Sequence, residues 1–186
     1  ISSPDYIIGQ YQEWYSSLVA KNTENIHSIA QNISLLGLVR RTTGCMNYSD
    51  LWLILPGMVL FALPYLRFSQ YKNLAFRETI LASVLMFVIL FSTGSESSGY
   101  IIALTGACIW YTAAPWKRGN WAVALMVFVF ILSGMGNSDL IPKWIRHDYI
   151  QPYALRALPI SILWLWLCYE LCTKDYTPIE KVDAHE

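Results

Sequence analysis

The sequence predicts an all-α, polytopic membrane protein: about five transmembrane helices plus interfacial amphipathic helices in a large outer loop. Three observations predict it. Five long apolar runs, Leu51–Leu66, Thr79–Thr93, Gly99–Ala114, Trp121–Met135 and Tyr153–Cys172, each come near the roughly 17–25 residues that a helix needs to cross about 30 Å of hydrocarbon. The basic residues Arg67, Lys72 and Arg77, then Lys117 and Arg118, fall in the gaps after the first and third runs, and short loops rich in Lys and Arg stay cytoplasmic. The chain is 55 % apolar and 14 % charged, whereas about a quarter of the residues of an ordinary soluble domain are charged. Runs such as LASVLMFVILFSTG also lack the polar stripe that a surface helix needs. The formal net charge of zero says nothing about nucleic acid, and no basic aromatic patch suggests such a partner, so none is expected.

The elements follow in order. Residues 1–50 read as an extracytoplasmic segment. In PDYIIGQYQEWYSSLVAKN, Tyr11, Trp14, Tyr15 and Leu18 recur at three- and four-residue spacing behind Pro4, which predicts an amphipathic helix. A second stretch, IHSIAQNISLLGLVRRTTG, carries Ile29, Ile33, Leu36 and Val39 ahead of two arginines and Gly44. Trp and Tyr favour the membrane–water boundary, so both helices are expected to lie flat on the outer surface. Residues 51–172 are the expected transmembrane bundle, with 94–98 and 136–152 outside and 67–78 and 115–120 inside. Residues 173–186 are expected to form a loose cytoplasmic tail. Pro56, Pro64 and Pro159 bend or bound the apolar runs. The opening ISSPDYIIGQYQEWY has no basic n-region followed by a short apolar stretch, so it is no signal peptide, and it reads as the middle of a larger protein.

Two charges stand out. Glu96 lies in a five-residue turn, Gly94–Ser98, between two apolar runs, with Ser95, Ser97, Ser98 and Tyr100 beside it. It reads either as a solvated turn residue or as a hydrogen-bonding group for a substrate held at the helix mouths. Arg156, in PYALRALP, is expected one turn inside the outer end of the last helix. It reads either as a cation snorkelling outward or as a partner for an anion such as a lipid-linked phosphate. Arg40 and Arg41 offer the same anion chemistry, or contact lipid headgroups. His27, His147 and His185 are far apart, and no spacing of His or of the four Cys matches a metal or redox site. No metal and no cofactor are therefore expected. The triplets at Asn32 and Asn47 match a glycosylation sequon that arises often by chance.

The order EWY…QNISLLGLVRR, FSTGSESSGYIIALTGACIWY and IPKWIRHDYIQPYALRALPISILWLWLCYEL resembles the carboxy-terminal half of family 87 glycosyltransferases, particularly bacterial members. The resemblance implies a multi-spanning GT-C enzyme of the plasma membrane. Such an enzyme moves a hexose, usually mannose, from a polyprenyl-phosphate carrier to a glycan or glycolipid acceptor outside the cytoplasm. It places Asn32, Ser34 and Arg40 in the N-S…R element of the large outer loop, Glu96 in the SES turn and Arg156 in the PYAL(K/R)ALP segment. Glu96 is then a sugar or acceptor contact, and Arg156 and Arg40 are phosphate partners. The family's catalytic aspartate lies in a first outer loop, so it is expected upstream of Ile1, and no catalytic residue is assigned here. A transporter or flippase module is the alternative; it would show repeats, and none is visible.

Overall fold

The computed structural model describes residues 3–28, 30–45 and 48–177. Of the residues named above, Ile29, Asn47, His185, the side chain of His27 and the tail beyond Thr177 lie outside the described residues. The described chain is helical, with no strand. Its elements are α1 (Pro4–His27), α2 (Leu35–Thr43), α3 (Leu51–Ala62), two 3₁₀ turns (Leu63–Leu66 and Phe68–Lys72), α4 (Leu74–Leu90), α5 (Tyr100–Ala113), α6 (Asn120–Phe128), α7 (Lys143–Ile145) and α8 (Ala157–Thr173).

The all-α expectation holds, but the polytopic one is corrected. No helix among the described residues is long and apolar enough to cross a membrane. The two longest apolar helices, α4 and α8, have 17 residues each; at about 1.5 Å per residue that is about 26 Å, short of about 30 Å of hydrocarbon. The other apolar runs break earlier. The first ends as the 12-residue α3, because the chain tightens into a 3₁₀ turn at Pro64. The fourth leaves α-geometry at Phe128 and widens into a π-turn over Val129–Gly134. The 24-residue α1 has the length, but it carries Asp5, Glu13, Lys21 and Glu24.

The core lies where α4, α5 and α8 pack. Phe76, Met86 and Leu90 of α4 meet Ala103, Ala107 and Trp110 of α5 and Ile160, Leu163, Trp164 and Leu167 of α8. Small residues let α4 and α5 approach closely: a Cβ on Gly106 would stand 2.9 Å from the Ala82 carbonyl oxygen. Phe87 and Phe91 stack at 4.5 Å and both contact Trp164, whose indole donates to Ser83 at 3.1 Å. By contrast α1 stands almost free of the bundle, with Tyr11, Trp14, Tyr15 and Leu18 all exposed.

Two ends are knotted by charge. At one, Arg118 is buried against Glu170 (2.6 and 2.8 Å). Glu170 also accepts from the indoles of Trp110 (2.7 Å) and Trp166 (2.9 Å), and the guanidinium stacks on Trp110 at 4.0 Å. The first residues after α8 pack at this end. Arg67 donates to the carbonyls of Leu171 (2.6 Å) and Lys174 (2.8 Å), and Tyr176 is buried between Phe76 and Trp116. The opposite end holds residues 28–34, 92–99 and 133–156, and there the polar residues converge.

Candidate functional site

Three connections meet at that end. Past α1, the chain is held down by Arg41, which donates to the carbonyls of Ser28 (2.7 Å), Gln31 (2.8 Å) and, from a distant loop, Gln151 (3.0 Å). Burial holds its guanidinium below the usual arginine range. The sequence singled out Arg40 and Arg41 as equals; the structure separates them. Arg40, 2 % exposed, pairs with Asp50 at 2.7 Å and stacks on Tyr48 at 4.8 Å. It is neutralised there as an internal pair and does not line a cleft.

Asn32 takes the left-handed conformation (φ 54°), which asparagine tolerates better than most residues. Its carbonyl then points over α2, leaving no room at Gly37: a Cβ there would stand 1.9 Å from the Asn32 oxygen. Ser34 caps α2 by accepting from the Gly37 N–H (3.1 Å) and donates to Asn32 Oδ1 (2.8 Å). Both side chains are fully buried. Asn32 and Ser34 therefore shape the wall and do not reach solvent.

The wall is fastened to the Glu96 turn. Ile33 N–H donates to the Ser95 carbonyl at 2.9 Å, the Tyr100 hydroxyl donates to the Ile33 carbonyl at 2.9 Å, and Ser95 donates to the Ile89 carbonyl at 2.5 Å. With Ser95 turned inward, Glu96 turns outward, exposed, and accepts from the Gln31 amide at 3.1 Å. The Thr93 hydroxyl donates to Asn22 of α1 at 2.6 Å, and Asn137 donates to Ser97 at 2.5 Å. Together these leave an open cleft of about 600 Å³ lined by Glu24, Ser28, Ala30, Gln31, Glu96, Ser97 and Ser98.

Arg156 is placed differently from expectation. It stands just before α8, which starts at Ala157, because Ala154 takes a left-handed conformation (φ 51°) that interrupts the helix. The residue is 4 % exposed, and its guanidinium donates from Nε and Nη2 to the Ser133 carbonyl (3.1 and 2.7 Å). Ser133 in turn donates to the Arg156 carbonyl at 2.6 Å. The guanidinium packs on Tyr100 at 4.6 Å, and burial lowers its pKa. Through Tyr100 it supports Ile33 and so the cleft wall, without lining the cleft.

Of the five residues that the sequence put forward, Glu96 alone faces the cleft. Gln31, Ser28 and Glu24 line it too, and sequence reasoning passed over them. The signal available was the carboxylate at Glu24 in the last turn of α1, where the helix dipole disfavours negative charge. Among the described residues no group of His, Cys, Asp or Glu is arranged to hold a metal ion.

A family model described as glycosyltransferase family 87 matches residues 6–93. The match takes in α1 to α4, with Asn32, Ser34 and Arg40, and stops three residues before Glu96. No curated protein and no solved structure matches the chain.

Proposed function

We propose, from the match of residues 6–93 to the model of glycosyltransferase family 87, that the cleft receives the sugar or acceptor of a glycosyl transfer. The donor we propose is a hexose, mannose, on a polyprenyl phosphate, and the acceptor a glycan or glycolipid outside the cytoplasm. In this reading the protein sits at the plasma membrane with its apolar exterior against lipid. The exposed Trp52, Leu55 and Val59 of α3 support it. The bond from the sugar's anomeric carbon to the phosphate oxygen breaks and the phosphate leaves with the electron pair. A bond from the acceptor oxygen to that carbon forms, and the acceptor's proton passes to a base.

The observation that carries the reading is Glu96, exposed at the cleft, held by Gln31 and flanked by the hydroxyls of Ser97, Ser98 and Ser28. Carboxylate, amide and hydroxyl side chains are the groups that hydrogen-bond sugar hydroxyls. Arg156 and Arg40 take a positioning role here: each is buried and committed to partners within the fold. Glu96→Gln keeps the shape and removes the charge. A charge-assisted hydrogen bond contributes about 1.5–3 kcal/mol, so kcat/KM for transfer should fall about tenfold to hundredfold with the thermal midpoint unchanged. Turnover equal to wild type across acceptor concentrations would leave Glu96 a solvated turn residue.

A further inference from the structure

We infer that α1 is a docking element for a lipid surface: its apolar side, outward of Asn22, lies in the headgroup boundary of a bilayer without crossing it. The inference rests on the reading above that the apolar exterior faces lipid, and adds which element lies in the surface and on which side.

Ile8, Tyr11, Tyr15, Leu18, Asn22 and Asn25 follow one another at alternating three- and four-residue steps, so they share one side of α1. At the carboxy-terminal end this side meets the bundle. Asn22 accepts from the Thr93 hydroxyl at 2.6 Å, and the buried Asn25 lies against Gly94, where a Cβ would stand 3.6 Å from its amide nitrogen. Thr93 and Gly94 stand just past the end of α4. Toward the amino terminus the same side runs on past the bundle, and Ile8, Tyr11, Tyr15 and Leu18 are all exposed. The side that caps the end of α4 is thus the side that is apolar further out. It is turned to the surroundings of the bundle's flanks, where α3 exposes Trp52, Leu55 and Val59.

Three features select lipid over a partner helix. The stripe is broad, because the exposed Ile7 and Trp14 widen one edge and Val19 the other, whereas a helix partner is served by a narrower seam. Its aromatic residues are Trp and Tyr, whose apolar bodies and polar tips suit the headgroup boundary. The opposite side carries Glu13, Ser16 and Ser17, which stay in water. With three acids (Asp5, Glu13, Glu24) and one lysine (Lys21) on α1, charge does not draw it to anionic lipid, and apolar area is what holds it. Glu24 is also on the water side, so the cleft that it lines opens above the lipid surface.

The test is spin labelling of the purified protein reconstituted in phosphatidylcholine bilayers, with the exposed Cys45, Cys108 and Cys172 replaced by serine and the buried Cys168 by alanine. Labels at Tyr11→Cys, Tyr15→Cys and Leu18→Cys should lose most of their collisions with a water-soluble nickel chelate and keep those with oxygen, which partitions into lipid. Labels at Glu13→Cys and Ser16→Cys should keep their nickel collisions. Leu55→Cys on α3 checks the lipid reading by itself. If Leu55→Cys is shielded from nickel while both sides of α1 are open to it, the inference fails and the lipid reading stands. Nickel collisions at Leu55→Cys and along α1 overturn both. Loss of collisions with both reagents along the stripe means that protein, a second copy included, covers it, which overturns the inference. Shielding that appears only when phosphatidylglycerol is mixed in overturns the apolar basis of the contact.

Discussion

Arg118→Met should lower stability by about 3–5 kcal/mol, the cost of leaving one partner of a buried ion pair alone. Glu170 is 3 % exposed and takes two of its four hydrogen bonds from the guanidinium, the others from Trp110 and Trp166. Without Arg118 the carboxylate keeps two indole donors and no counter-charge. Methionine also gives up the stacking on Trp110 and Trp116. For a chain of this size the loss corresponds to a fall of about 6–20 °C in thermal midpoint. Arg118→Met combined with Glu170→Leu should recover much of it, because removing both charges also removes the desolvation cost. Thermal unfolding of the single and double variants decides the matter. A shift below about 2 °C in the single variant would mean that the pair contributes little.

The second large effect is expected at Gly37, where Gly37→Ala should cost about 3 kcal/mol or more. The obstacle is the main-chain oxygen of Asn32, 1.9 Å from the new Cβ, and it has no rotamer to escape through. The Asn32 carbonyl, the α2 cap at Ser34 and the bond from Ile33 to Ser95 would have to move together, carrying Gln31 away from Glu96. Stability and transfer should therefore fall together. Gly9→Ala is the control: a Cβ there meets nothing within 4 Å, so on an exposed helix it should stabilise by about 0.5–1 kcal/mol. Equal thermal midpoints for the two variants would show that the wall yields without cost.

Local pattern made much of the fold legible. Pro4 and the period of Tyr11, Trp14 and Leu18 marked α1, and the apolar runs marked α4, α5 and α8 within a few residues. The short serine-rich turn marked Glu96. Apolarity, however, does not report helix length. The first and fourth runs are apolar throughout, yet a 3₁₀ turn at Pro64 and a π-turn after Phe128 end their α-helices; Pro64 marks the first break, and nothing in the composition marks the second. Long-range pairing was illegible for a different reason. Arg118 and Glu170 are 52 residues apart, and Arg41 and Gln151 are 110 apart, so a basic loop read alone looks solvated. Glu170 offered one hint, a carboxylate inside ILWLWLCYEL, since a charge amid apolar residues needs a partner. Arg156 was misplaced by one turn because nothing in PYALRALP shows that Ala154 goes left-handed.

Among the described residues Arg41 hydrogen-bonds to main-chain carbonyls alone, at Ser28, Gln31 and Gln151, so what it measures is spacing. Side chains at Gln151 can drift over generations without its noticing. A single inserted or deleted residue in either loop, however neutral its chemistry, slides a carbonyl out of reach of a half-buried cation and skews the cleft. This end of the molecule is therefore permissive toward the alphabet and strict about the count.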